Sequence, residues 1–192
     1  MNPILSKISK VVQSYPLEFG KTLYDVVLEY KPNKVIEFGP QYGFSTLCFA
    51  SAIVHNRIGI IKTHDLWETK DEDNFNIWKK SEFEKNINHF PELNYIIEYE
   101  TKNFFDWIES PENFDILYID INNTGDKILK AYESLKTYVD NGSIILFAGG
   151  NKVKDNHKLY KDLEPIYPLK EKIGYDLIFD NGSSAAIGMI KK

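Results

Sequence analysis

The hydrophobic positions of the chain alternate between a strand-like and a helix-like spacing along most of its length. Short β-branched or aromatic runs, typical of buried strands, are separated by longer segments whose apolar residues recur every three or four positions, as on one face of a helix. The predicted strands are residues 34–38, 58–64, 93–99, 114–119, 143–147, 175–179 and 185–190. The predicted helices are residues 4–13, 17–30, 43–55, 73–89, 104–108 and 125–139, with a short one near 155–163.

This alternation predicts an α/β fold with a doubly wound, mostly parallel sheet covered by helices on both faces. The last two strands are joined by the short loop 180–184, which predicts a C-terminal antiparallel hairpin. No linker, repeat or low-complexity tract interrupts the pattern, and 192 residues are about the size of one domain. We therefore expect a single domain over residues 1–192, with residues 1–32 as a helical lead segment.

Composition narrows the classes of partner. With 43% hydrophobic and 27% charged residues the chain can bury a core, and its net charge of −5 without a basic stripe argues against nucleic acid. The single cysteine, Cys48, excludes an intramolecular disulfide, and its apolar neighbours predict a packed side chain. The start lacks the apolar core of a signal peptide, and the longest apolar run, 144–148, is too short to cross a bilayer. These features predict a soluble cytoplasmic protein without a membrane partner.

The clearest local motif lies where the first predicted strand meets the next helix. It reads Glu37-Phe38-Gly39-Pro40-Gln41-Tyr42-Gly43-Phe44-Ser45-Thr46. Two glycines four residues apart permit a tight turn and a close approach of ligand to backbone at a helix N-terminus. The motif lacks the third glycine of a dinucleotide fingerprint and the lysine of a phosphate-binding loop. A carboxylate at Glu37 also suits a ligand with an ammonium or sulfonium group better than a pyrophosphate. A plain strand-to-helix turn is the alternative.

A second candidate is the carboxylate that follows the second predicted strand. Asp65 is placed to accept hydrogen bonds from two ribose hydroxyls, and Trp67 could cover an adenine ring or simply pack. The alternative for Asp65 is a solvated side chain that caps the following segment.

Taken in order, these motifs resemble those of class I S-adenosylmethionine-dependent methyltransferases, most closely the small-molecule O-methyltransferase-like branch. The resemblance rests on the glycine loop, Asp65-Leu66-Trp67, Tyr118-Ile119-Asp120-Ile121-Asn122-Asn123, and the segments 142–149 and 186–190. It covers roughly residues 33–191. It implies a seven-stranded Rossmann-like sheet with the order 3-2-1-4-5-7-6, and an enzyme that moves a methyl group from S-adenosylmethionine to a small molecule. Oxygen is the expected acceptor atom.

The resemblance also implies site residues. Asp65 would bind the ribose, Asn103 would contact the adenine amino group, and Asp120 would lie beside the methyl group as the candidate catalytic base. The glycine loop would hold the methionine portion. The expected cofactor-binding residues are Glu37, Gly39, Gln41, Tyr42, Gly43, Ser45, Asp65, Trp67, Asn103 and Asp120.

Two departures from the family pattern change the expected chemistry. After Asp120, where relatives carry a histidine, this chain has Asn123, and an amide cannot take a proton at neutral pH. After the fifth strand, where relatives carry His-Asp, it has Ala148 and Gly149, so a carboxylate metal site would lack one side and no metal is expected.

Other interpretations of the site and of the function remain open. His157 is a weaker candidate for a base; His64 is weaker still, because strand alternation should turn it away from the side that Asp65 faces. A non-catalytic cofactor-binding or scaffold protein of the same fold is the main rival, and a nicotinamide-dependent oxidoreductase the second. The aromatic side chains of Phe75, Trp78 and Phe83 could belong to the core or to a contact in a homo-oligomer.

Overall fold

The described parts of the chain in a computed structural model are residues 3–67 and 79–192. Within them one sheet has the strand order β3-β2-β1-β4-β5-β7-β6. The strands are β1 Lys34–Phe38, β2 Ile60–Asp65, β3 Ile97–Thr101, β4 Ile116–Ile119, β5 Ile144–Ala148, β6 Asp176–Asp180 and β7 Ala186–Ile190. The first five strands pair in parallel, and β7 runs antiparallel to both β5 and β6. The predicted fold class, strand order and terminal hairpin are confirmed.

Helices cover both faces of the sheet. They are α1 Pro3–Val11, α2 Leu17–Tyr30, α3 Phe44–Asn56, α4 Lys80–Asn88, α5 Phe104–Trp107, α6 Gly125–Asp140, α7 Lys152–Asp155 and α8 Leu169–Ile173. The helices α1 to α4 contribute to one hydrophobic cluster, and α5, α6 and α8 to the other. No helix in the described ranges is long and apolar enough to cross a membrane.

The helix after the glycine loop is the most deeply buried. Nearly every residue of α3 is buried, because α2 covers the face that the sheet leaves open. The two helices approach so closely that a Cβ on Gly20 would lie 2.8 Å from Cys48 Sγ. Cys48 is 1% exposed, which confirms the packed side chain expected from its neighbours.

Some element boundaries differ from the predictions. The third strand was predicted over 93–99 but begins at Ile97, because Asn94–Ile96 form a 3-10 turn before it. The helix predicted near 155–163 is wrong, because α7 ends at Asp155 and turns and bends follow it; α8 was not predicted. The helix predicted over 73–89 is described only from Lys80, so Phe75 and Trp78 lie outside the described residues.

Candidate functional site

A cleft of about 250 Å³ opens at the carboxyl ends of β1, β2 and β4. The strand β1 lies between β2 and β4, which is the point where a doubly wound sheet reverses its winding and where such folds bind ligands. Most of the predicted cofactor-binding residues line this cleft, namely Gly39, Gln41, Ser45, Asp65, Trp67, Asn103 and Asp120. The structure therefore brings together loops that the sequence places up to 81 positions apart, from Gly39 to Asp120.

Backbone strain is concentrated at this cleft. Among the described non-glycine residues with positive φ, Lys31 and Arg57 end helices, where a left-handed residue is common. The others are Gln41 (φ 52°), Trp67 (φ 49°) and Asn122 (φ 58°), and all three line the cleft. Such conformations cost free energy and persist where the surrounding structure holds them, often at ligand sites.

Asp65 is held in one orientation by the backbone. Its Oδ1 accepts a hydrogen bond from the Trp67 amide at 3.1 Å, and its Oδ2 accepts one from the Gln41 amide at 3.4 Å. Burial raises the pKa of Asp65 above its usual value, while these amides oppose the rise. The carboxylate thus stands fixed at the end of β2 with remaining lone pairs for a ligand hydroxyl.

Asp120 is oriented by two tyrosines. Its Oδ2 accepts hydrogen bonds from Tyr15 at 2.9 Å and from Tyr118 at 3.3 Å, whereas Oδ1 has no hydrogen-bond partner in the described residues. Burial raises the pKa of Asp120, and the ammonium of Lys154 and the two hydroxyls oppose the rise. One carboxylate oxygen is therefore anchored and the other is left for a ligand.

Lys154 supplies a buried positive charge near Asp120. Its ammonium donates to the Ala148 carbonyl at 3.1 Å and lies 5.0 Å above the ring of Tyr160. Burial lowers the pKa of Lys154, while Asp120 and then Asp155 act against this. The end of β5 thus carries an ammonium group near the carboxylate that ends β4.

Three predicted cofactor-binding residues do not reach the cleft wall: Glu37, Tyr42 and Gly43. A Cβ on Gly43 would lie 3.2 Å from Phe83, and the Tyr42 carbonyl accepts a hydrogen bond from Asn86, so this part of the loop faces α4. The loop makes a tight turn after Gly39, which directs its first half to the cleft and its second half to the helix.

Glu37 is fully buried beneath the loop. Its carboxylate accepts hydrogen bonds from the hydroxyls of Ser45, Thr46 and Thr63, the last at 2.8 Å. Burial raises the pKa of Glu37 to about 7, although the three hydroxyls oppose the rise. The contact with Ser45 ties β1 to the start of α3, so Glu37 supports the loop from below.

This burial should make stability depend on pH through Glu37. An unfolded glutamate has a pKa of about 4.3, against about 7 in the folded protein. Because the folded pKa is higher, the folded state binds more protons between these values, and raising the pH from about 4 to about 8 should lower the free energy of unfolding by up to about 3 kcal/mol. The Glu37→Gln variant should lack this contribution. Urea unfolding of wild type and Glu37→Gln at about pH 5 and about pH 8 measures this contribution. A difference in free energy of unfolding between the two proteins that is the same at both pH values would contradict it.

Several polar atoms in the cleft wall are buried without a partner. Ser14 Oγ, Trp67 Nε1 and both ring nitrogens of His64 find no hydrogen bond within the described ranges. The Trp67 ring itself packs on Phe83, with ring centroids 4.9 Å apart. Because an unsatisfied buried polar group costs about 1–3 kcal/mol, this cluster points to a polar ligand that completes these bonds.

Two asparagines near the cleft have clear structural partners. Asn103 Oδ1 accepts hydrogen bonds from the amides of Phe105 and Asp106, so Asn103 caps α5. Asn123 Nδ2 donates to the carbonyls of Ile119 and Ala148, which joins the ends of β4 and β5. Asn123 thus holds two strands together.

The remaining candidates for a base or a metal site are placed as follows. His157 is absent from the cleft wall, and its Nδ1 accepts a hydrogen bond from the Leu159 amide. In the described part of the chain, no group of three or more His, Cys, Asp or Glu residues could hold a metal ion.

Comparison with known families gives this cleft its context. A family model described as a methyltransferase domain matches residues 36–148, which run from β1 to the end of β5. The chain belongs to this methyltransferase-domain family. The matched segment contains the glycine loop, Asp65 and Asp120, so it includes most of the predicted cofactor-binding residues that line the cleft. A search of the curated proteins gave no match.

Solved structures similar to this methyltransferase domain share its fold at low sequence identity. An O-methyltransferase from Bacillus cereus, solved with S-adenosylhomocysteine, has a TM-score of 0.69 and 18% identity, over 100% of this chain and 92% of that one. The O-methyltransferase TomG from Streptomyces achromogenes, solved with S-adenosylmethionine, has a TM-score of 0.67 and 15% identity, over 100% and 91%. A Podospora anserina methyltransferase solved with S-adenosylhomocysteine has a TM-score of 0.65 and 12% identity, over 100% and 88%.

Sequence reasoning missed three residues in or near this methyltransferase cleft. Tyr15 and Tyr160 line it and Lys154 lies near Asp120, yet Lys154 belongs to a lysine-rich stretch typical of solvent-exposed surface. His64 was expected to face away from the site of Asp65, but both residues are among those that line the cleft. Strand alternation separates the two faces of a sheet, but this cleft lies across the strand ends and takes side chains from both faces.

Proposed function

We propose that this domain uses S-adenosylmethionine to methylate an oxygen atom of a small molecule, and that it does so without a metal ion. The observation that carries the proposal is a pair of fixed carboxylates, Asp65 and Asp120, at the ends of the two strands that flank β1, with the glycine loop between them. Both face one cleft. The compounds bound to the solved structures described above are consistent with this choice of cofactor.

The polar groups that line the cleft fit a nucleoside-containing cofactor. S-adenosylmethionine supplies a methyl group on a positively charged sulfur, where it is already activated for transfer. Asp65 would accept hydrogen bonds from the ribose hydroxyls. Asn103 has its Oδ1 occupied by the start of α5, which leaves its Nδ2 to donate to a purine ring nitrogen. The unpartnered buried polar atoms in the wall match a ligand with many polar groups.

The acceptor would lie against Asp120. Its Oδ1 would accept the proton of an acceptor hydroxyl, while Tyr15 and Tyr118 hold Oδ2 in place. The pKa of Asp120 is raised by burial, which makes the carboxylate a better base than a solvated aspartate. Alignment of the hydroxyl oxygen with the methyl group would supply much of the remaining acceleration.

The charges around Asp120 support a metal-independent reaction. Divalent cations such as Mg²⁺ favour several oxygen ligands with negative charge. Here Ala148 and Gly149, at the end of β5, have no carboxylate side chain to offer a cation. The buried ammonium of Lys154 already provides the positive charge near Asp120. A second cation beside that ammonium would be repelled.

Titration calorimetry with S-adenosylhomocysteine tests the cofactor assignment. Wild type is expected to bind it with micromolar affinity, and Asp65→Asn to weaken binding about 100-fold, because two charge-assisted hydrogen bonds to the ribose are lost. The exposed Asp106→Asn is the matched control and should bind like wild type. NAD should not bind. A folded wild-type protein that does not bind S-adenosylhomocysteine would overturn the proposal.

A screen with S-adenosylmethionine labelled in its methyl group tests the reaction. Small phenols, alcohols, carboxylates and amines are offered with and without a chelator, and label transfer is measured. Transfer to a hydroxyl compound that survives the chelator is the expected result. Transfer to nitrogen only, or loss of transfer with the chelator, would contradict the oxygen and metal-free parts of the proposal respectively.

A further inference from the structure

His64 is an unusual residue for the interior of this sheet. It lies on β2, level with Phe38 of β1 and Glu100 of β3. Its ring is 1% exposed, with its centroid 4.8 Å from that of Phe38, which in turn packs on Phe104 at 5.1 Å. An aromatic hydrocarbon side chain would suit these neighbours, so the two ring nitrogens are not explained by packing.

Those nitrogens are unpartnered at the wall of the cleft. Neither Nδ1 nor Nε2 makes a hydrogen bond within the described residues, although His64 and Asn103 are both among the residues that line the cleft. The carboxylate oxygen Oε1 of Glu100 lies 3.4 Å from Nδ1. A buried polar side chain without partners is costly unless a ligand completes its bonds.

The protonation of the ring decides which bonds it can offer. Burial lowers the pKa of His64 to about 4, with Glu100 acting in the opposite direction, so the imidazole is neutral at physiological pH. A neutral imidazole has one N–H donor and one bare acceptor nitrogen. The carboxylate of Glu100 favours the tautomer with its proton on Nδ1, which makes Nε2 the acceptor.

We propose that His64 recognises the adenine of the cofactor, with Nε2 accepting a hydrogen bond from its exocyclic amino group. This inference rests on the cofactor proposed above. It makes His64 a specificity-determining residue: a hypoxanthine base, which has a carbonyl oxygen in place of that amino group, would set two acceptors against each other. A site with a buried group left unpaired rejects such an analogue strongly.

Calorimetry with S-adenosylhomocysteine and its deaminated analogue S-inosylhomocysteine tests the proposal. Wild type should prefer the adenine compound at least tenfold. His64→Phe, which keeps a ring against Phe38, should bind S-adenosylhomocysteine about tenfold more weakly and lose most of the preference. His64→Gln keeps an acceptor oxygen and should restore part of it. His64→Leu serves as a second apolar variant in case the His64→Phe protein does not fold.

Thermal unfolding without ligand provides an independent readout. Since His64→Phe removes an unsatisfied polar group from the interior, the variant should melt no lower than wild type while it binds the cofactor less well. Wild-type selectivity retained in a folded His64→Phe or His64→Leu variant would overturn the inference. Wild type that binds neither compound would instead overturn the proposed function, so the two failures are distinguishable.

Discussion

Replacement of Asp120 with Asn is expected to lower the turnover number for methyl transfer by about 100-fold or more, the usual range for loss of a general base. The amide has nearly the shape of the carboxylate and can still accept a hydrogen bond from Tyr15, but it cannot take a proton from an acceptor hydroxyl. Binding of S-adenosylhomocysteine should change little, because Asp120 is assigned to the acceptor's proton. Steady-state kinetics with a hydroxyl acceptor from the screen, together with calorimetry, separates the two effects.

The exposed Asp176→Asn on the edge strand β6 is the matched control for this experiment. It makes the same chemical change far along the sheet from β4 and should leave turnover unaltered. An Asp120→Asn variant with near-normal turnover would show that Asp120 only shapes the pocket and that acceptor deprotonation takes place elsewhere.

Replacement of Gly39 with Ala is expected to prevent folding or to lower the free energy of unfolding by more than about 4 kcal/mol, an exceptional value for one methyl group. Gly39 has φ +88°, and its new Cβ would lie 2.1 Å from the carbonyl oxygen of Asp120. Neither backbone can easily move, since the Gly39 amide donates to His64 O and the Asp120 amide donates to Phe38 O. Urea unfolding, or the soluble yield where no folded protein is obtained, measures the effect.

Gly142→Ala isolates the contribution of the clash. Gly142 has a similar φ of +101°, but a Cβ there would meet no atom within 4 Å. This variant should lose only about 1 kcal/mol, from the backbone conformation alone. Equal stability losses at the two positions would mean that the close approach of the glycine loop to β4 is not what requires Gly39.

The fold and the outline of the site could be predicted from sequence. The strand and helix periods, the short loop before the last strand and the order of the motifs predicted the sheet that the structure has. Asp65 could be chosen from sequence because it ends a predicted strand, and Asp120 because the resemblance to methyltransferases implies it; the ends of parallel strands meet at one edge of a sheet. Such features are local or follow from chain order, so periodicity and spacing reveal them.

The tertiary structure alone decided which side chains meet at that edge. Tyr15 reaches Asp120 across 105 positions, and Lys154 comes near it because a turn after β5 folds an otherwise surface-like stretch inward. Glu37 is enclosed by three hydroxyls that come from two different elements. His64 is among the residues that line the cleft because the cleft crosses the strand ends. These outcomes depend on packing and burial between distant segments, and a single sequence carries no signal for which segments come into contact.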